Sequence, residues 1–152
     1  MRLKRSPRPE EPASPPAVDT ELAPNLERMA AAGIDFRYIS ADVTDAEAVR
    51  AAVREVEAVF GSITAVLHGA GANVPNRLTS LDDAAFQRTL APKVQGARNV
   101  LAALNPEHLR LLVAFGSIIA RIGLPGEADY AVANEWLARL TERFQVEHPA
   151  CR

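Results

Sequence analysis

"LRLLVAFGSIIARIGLPGEADYAVANEWL", residues 109–137, decides the fold. Its first part is a short continuous apolar run that stops at Gly116-Ser117, which predicts a strand buried on both faces, as in a parallel sheet. A connecting loop follows, then a helical pattern carrying Tyr130 and Asn134 four residues apart, hence on one helix face. A strand end, a hydroxyl, a phenol and an amide at these intervals are either ordinary decoration or a proton-donating site.

Working outward, the same alternation recurs. "ITAVLHGAG" predicts a second short buried strand ending in glycines, and "IDFRYIS", residues 34–40, predicts a third from its apolar/polar alternation. Between them, "DVTDAEAVRAAVREVEAVFG" repeats Val49, Val53, Val56 and Phe60 at helical spacing behind a Thr44-x-x-Glu47 capping box. "SLDDAAFQRTLAPKVQGARNVLAAL" predicts a long helix opened by Ser80-x-x-Asp83 and interrupted or kinked at Pro92. "DTELAPNLERMAAAG" places Leu22, Leu26, Met29 and Ala30 on one face before Gly33, with Pro24 tolerated only in the first turn. Strand and helix in alternation predict an α/β, Rossmann-like, doubly wound parallel sheet in three layers. Three strands are few for such a sheet, so it reads as partial, with an open edge that invites self-association.

Length and composition bound the rest. The 152 residues suit one domain, and 48% apolar with 24% charged residues is a globular composition. Residues 1–18 hold five of the eleven prolines and little to bury, so they are expected to be loop or disordered, with the domain running over 19–152. A net charge of -2 supplies no basic footprint for nucleic acid or anionic lipid. One cysteine, Cys151, excludes a disulfide framework and a thiolate metal site. With no apolar run near the ~18 residues of a membrane span, the expectation is a cytoplasmic protein with no membrane partner and no metal.

Ligands of parallel sheets bind beyond the carboxyl ends of the strands, and each strand end here carries unusual residues: Asp42-Val43, His68-Gly69-Ala70-Gly71 and Gly116-Ser117. Each has a plain alternative. Asp42 suits helix capping, and Gly69 to Gly71 lack the GxGxxG context and suit a simple turn as well as close approach of a flat ligand. His68 reads as structural, and His108 and His148 as surface residues. Lys93, Ser117 and Tyr130 are unremarkable one at a time.

Taken together, Lys93, Ser117 at +24, Tyr130 at a further +13 and Asn134 at +4 resemble the catalytic set of ketoreductase domains of type I polyketide synthases, within the short-chain dehydrogenase/reductase superfamily. The exchanged order of Lys and Asn in "LAPKVQGA" and "YAVAN" is that subgroup's, and "ADVTD", "HGAG" and "FGSI" are similar context. The resemblance covers about residues 19–145, with iterative bacterial synthases the most similar. It implies NADPH-dependent reduction of the β-keto group of an acyl chain tethered to a carrier protein, with neighbouring synthase domains as partners. Tyr130 would donate the proton, Lys93 would favour the phenolate, Ser117 would bond the ketone oxygen, and Asn134 would orient Lys93 or a relay water. Asp42 would meet the adenine, Val43 beside it would also contact the cofactor, Gly69, Ala70 and Gly71 would pass close to the nicotinamide ribose, and Arg5, beside Ser6, would meet the 2′-phosphate. The family's first strand and Gly-rich turn have no counterpart, so the chain resembles a ketoreductase entered partway. Alone it is expected to bind NADPH weakly, to show no reductase activity and to self-associate. Two other functions stay open: a non-catalytic remnant or interaction fragment, and a short-chain reductase of a free metabolite.

Overall fold

The computed structural model describes residues 21–152. The chain divides into two units, Met1–Tyr38 and Ile39–Arg152. The expected boundary between residues 18 and 19, and Arg5, lie outside the described residues.

In the first unit, helix α1 spans Leu22–Ala31 with Pro24 in its first turn, where its missing N–H costs nothing, and Gly33 at φ +70° ends it. Residues 34–40, expected as a strand and running from this unit into the next, are irregular backbone with no ladder partner among the described residues. The side-chain alternation is present, but a strand exists only where its N–H and C=O groups find an adjacent strand.

The second unit is built from α2 (Ala46–Phe60), β1 (Ala65–His68), α3 (Asp83–Ala103), β2 (Leu111–Ala114), α4 (Ile119–Ile122) and α5 (Ala128–Glu147). β1 and β2 pair in parallel, Ala65 opposite Leu111 through His68 opposite Ala114, and α3 makes the crossover between them. This is an α/β, Rossmann-like arrangement. At residue 152 the chain returns to β2: Arg152 N–H donates to the Arg110 carbonyl at 2.9 Å, and Leu112 N–H donates to the Arg152 carbonyl at 2.8 Å. Those groups face away from β1, so both edges of β2 are bonded.

Two expected caps shift by a residue or two. Asp45, not Thr44, caps α2, accepting from the N–H groups of Glu47 and Ala48. Asp82, not Ser80, caps α3 through Ala85 N–H, while the Ser80 hydroxyl donates to Asn76 Oδ1. An aspartate carboxylate at the entry to a helix competes well for those donors, being both acceptor and countercharge. α3 continues through Pro92 as one helix. The loop expected after Ser117 contains the one-turn helix α4.

Val66, His68, Leu112 and Ala114 point to the side where Ala97 of α3 and Leu137 of α5 lie. Leu104, Leu109 and Cys151 form the core at one end of this layer, and Leu90, Val94 and Ala133 form it at the other. The opposite sheet face is bare: Leu67 is 64% exposed and Leu111 41% exposed. The expectation that the residue 109–117 strand is buried on both faces is therefore corrected, because the helices of the second unit pack on one face only.

Candidate active site

α3 supplies Lys93 from its buried face. The lysine is only 5% exposed, and burial pushes its ammonium below the ordinary lysine range. Nζ donates a 3.0 Å hydrogen bond to the Phe115 carbonyl, just past the carboxyl end of β2, and lies 5.5 Å from the centroid of the Tyr130 ring. A cation over an aromatic face in a site with little water is attracted by the ring quadrupole. Room for the lysine comes from Gly71, where a Cβ would meet Lys93 Cε at 3.0 Å and Nζ at 3.2 Å. The glycine turn after β1, the lysine of α3 and the tyrosine of α5 thus converge beyond the sheet.

Asn134 is buried on the same face of α5 as Tyr130. Its amide donates to the Tyr130 carbonyl at 2.7 Å, and its Oδ1 has no partner among the described residues. Ser117 is partly buried, and its Oγ accepts from Ile119 N–H at 3.2 Å, opening α4. No hydrogen bond joins Ser117 to Lys93 or Tyr130. The structure therefore brings Lys93, Tyr130, Asn134 and Gly71 together and sets Ser117 at the adjoining strand end. Gly69 is exposed, with only the Phe115 ring within 4 Å of a Cβ placed there; Ala70 is partly buried.

His68 fills a structural position. Its Nε2 donates to the Lys93 carbonyl at 3.1 Å, so β1 is tied to the turn of α3 that carries the lysine. Burial is the main cause that holds His68 below its ordinary pKa, with the nearby Lys93 charge a lesser one.

Asp42 does not cap α2. Its carboxylate accepts from the N–H and hydroxyl of Thr44, each at 2.8 Å, and these bonds keep it below the ordinary carboxylate range. Val43 is held from α3. Asn99 Nδ2 donates to the carbonyls of Val43 at 2.9 Å and Thr44 at 3.0 Å, and Gly96 leaves the space that Val43 occupies. Asp42 and Thr44 line an open depression with Gln87 and Arg88 of α3.

Asn99 and Gly96 escaped the sequence reading, as did Thr89 and Asp129. A signal existed. Thr89, Lys93, Gly96 and Asn99 recur at intervals of four, three and three, a polar and small stripe along the buried face of α3. A solvated stripe would have looked identical in one dimension.

The KR domain family model matches residues 6–150. The chain is 30% identical over 125 residues to the polyketide synthase PksL of Bacillus subtilis, covering 82% of this chain and 3% of that one. It is 27% identical over 121 residues to the 3-oxoacyl-[acyl-carrier-protein] reductase FabG of Staphylococcus aureus, covering 77% and 49% respectively. Among solved structures it is similar to a ketoreductase domain from the bacillaene assembly line, with TM-score 0.79 and 29% identity over 88% of this chain and 32% of that one. An N-terminal ketoreductase from the macrolactin assembly line matches with TM-score 0.79 and 26% identity over 90% of this chain and 27% of that one. The chain thus spans about half or less of the length of these relatives. Covering nearly the whole of its length, the family match settles kinship: this chain belongs to the KR domain family, the ketoreductase domains of polyketide synthases.

Proposed function

We propose that this domain reduces the β-keto group of an acyl thioester, held on a carrier protein, with NADPH as the hydride source. One observation carries the reading: a buried lysine set against the Tyr130 ring beyond the carboxyl end of a parallel sheet, where such folds do their chemistry.

The residues present fit a reduced nicotinamide dinucleotide at its two ends. The exposed backbone at Gly69 and Gly71, with Ala70 partly buried between them, leaves a flat ring and its ribose room to approach, and Asp42, with Val43 next to it in the chain, borders a depression open to an adenine. When bound, the cofactor supplies a hydride to the ketone carbon. Tyr130 gives its hydroxyl proton to the ketone oxygen, and Lys93 both offsets the phenolate charge and returns a proton to it. The Ser117 hydroxyl donates to the oxygen as negative charge develops there. Asn134, bonded to the Tyr130 carbonyl, holds the first turn of α5 and offers its unpaired Oδ1 to a water or to Lys93. The role of Arg5 at a 2′-phosphate is proposed on the resemblance alone.

The similarity to carrier-protein reductases and synthase modules supports an acyl carrier protein and neighbouring synthase domains as partners. The bare sheet face, with Leu67, Leu111 and Phe115 exposed, is an apolar surface suited to such a neighbour or to self-association. Among the described residues no helix is long and apolar enough to cross a membrane. A cytoplasmic location is proposed on kinship to synthase modules.

The test is turnover of a β-ketoacyl thioester by the intact protein, followed by loss of NADPH absorbance. Tyr130→Phe removes the positioned acid and is expected to lower kcat by about 10²-fold or more. Unchanged turnover removes Tyr130 from the mechanism. No turnover in the unaltered protein, with cofactor bound, favours the non-catalytic reading.

A further inference from the structure

Near the start of α5, one polar bond joins that helix to α3 inside their interface. The Thr89 hydroxyl donates to Asp129 Oδ2 at 2.6 Å, with the two residues 3% and 2% exposed. The other carboxylate oxygen, Oδ1, has no partner among the described residues. A buried carboxylate with one neutral donor is a costly way to stabilise two helices, and an apolar pair of the same size would hold them at least as well. Stability does not account for it. Position does.

Thr89 lies four residues before Lys93 on the same face of α3, and Asp129 directly precedes Tyr130 on α5. The bond therefore sits within about one helical turn of the Lys93–Tyr130 contact. Around it, Leu90, Val94, Phe86 and Ala133 make an apolar cluster. Apolar packing is non-directional, and a small residue such as Ala133 does little to stop α5 from sliding or turning. A short hydrogen bond to a carboxylate is directional and does stop it.

We propose that Thr89 and Asp129 are positioning residues: their hydrogen bond sets the register of α5 on α3 and thereby keeps the Tyr130 ring over the Lys93 ammonium. The catalytic consequence rests on the reading of these two residues as the proton-donating pair. The geometric claim does not, and it is read separately.

The sequence offers a clean probe, because it contains only two lysines, Lys4 and Lys93. Protein labelled with ¹³C at lysine Cε yields two methylene signals, and the one beside the Tyr130 ring carries a ring-current displacement, identified by its loss in Tyr130→Leu. In Thr89→Val, which keeps shape and removes the donor, that displacement is expected to shrink. Thr89→Ser restores the hydroxyl and is expected to retain it. In the intact protein Thr89→Val should lower kcat roughly 10-fold or more, since small misplacements of reacting groups cost that much. KM should stay within about 2-fold, and Thr89→Ser should recover most of the rate.

Thr89→Val leaves a buried carboxylate without its donor, so a second variant guards against loss of folding. Thr89→Val/Asp129→Leu removes both polar groups at similar volume. A folded double variant with the Lys93 signal displaced as in the unaltered protein overturns the proposal. Equal loss of kcat in Thr89→Val and Thr89→Ser overturns it too. A normal Lys93 response to these variants in a protein that reduces no thioester would leave the positioning claim standing and sink the proposed function instead.

Discussion

Gly96→Ala is the most informative single change in the layer that carries the site. The added Cβ would stand 2.8 Å from Val43 Cγ2 and 3.2 Å from Val43 Cβ, where ordinary contact begins at 3.4 Å, and also 3.4 Å from His68 Cε1. Val43 must retreat by some 0.6 Å. It is a short β-branched side chain, with no flexible end to swing aside, and its own carbonyl is tied to Asn99. Overpacking of this kind costs about 1–3 kcal/mol. Against it stands the gain of replacing a mid-helix glycine by alanine, about 0.8–1 kcal/mol. The balance is a net loss of about 1 kcal/mol, with a range from about zero to 2. In urea this should lower the midpoint by roughly 0.5 M, given slopes of about 1–3 kcal/mol/M. Val43→Ala in the same chain removes the obstructing methyls, so the double variant should recover the helix gain and show clear non-additivity. The loop holding Asp42 should shift as Val43 moves, raising the KM for NADPH in the intact protein. A midpoint that rises in Gly96→Ala by the full helix gain would refute the close packing on which this reasoning stands.

Lys93→Ala should depress thioester reduction strongly and shift the alkaline limb of its pH profile, and an unmoved limb would leave the lysine without a proton-transfer role. Because Lys93 titrates below its ordinary value when folded, the unfolded chain binds more protons between the two values; stability should therefore rise with pH through the window below about 10.5, and this rise should vanish in Lys93→Met when melts are compared at pH 8 to 10. His68 follows the same sign lower down: its folded value is depressed, so stability should fall as pH drops through about 6.5, by at most about 1.4 kcal/mol per pH unit, and His68→Gln should flatten that limb. Leu137→Ala, at a site 1% exposed between α5 and the sheet, should cost about 2–5 kcal/mol by urea titration.

Local pattern was sufficient for the four long helices, though not for the one-turn α4. The apolar spacing of α1 and α2, Pro24 in a first turn and Gly33 as a stop are properties of neighbouring residues, and each of the long helices stands close to where the pattern puts it. The paired strands were legible for the same reason, and so was the structural role of His68. Lys93, Ser117, Tyr130 and Asn134 stood out as a candidate set because the four keep the order and intervals of the family they resemble, not because any one of them looked unusual.

What the pattern could not contain is the identity of partners distant in sequence. Residues 34–40 alternate like a strand, yet no adjacent strand among the described residues takes up their N–H and C=O groups. The apolar run at residues 109–117 says that burial is favoured, whereas the packing of helices on one face alone leaves Leu67 and Leu111 exposed. The capping signals at Thr44 and Ser80 miss by a residue or two, because Asp45 and Asp82 hold the extended backbone at the helix entries and their carboxylates take the free N–H groups. Lys93 looks like a solvated helix lysine until Phe115, Tyr130 and Gly71 close around it from three other segments. Hydrogen bonds such as Thr89 to Asp129, forty residues apart, exist only once α3 and α5 have packed. Periodicity is a one-dimensional record of which side of an element is apolar; burial, pairing and site geometry depend on what arrives at that side, and only the folded chain decides that.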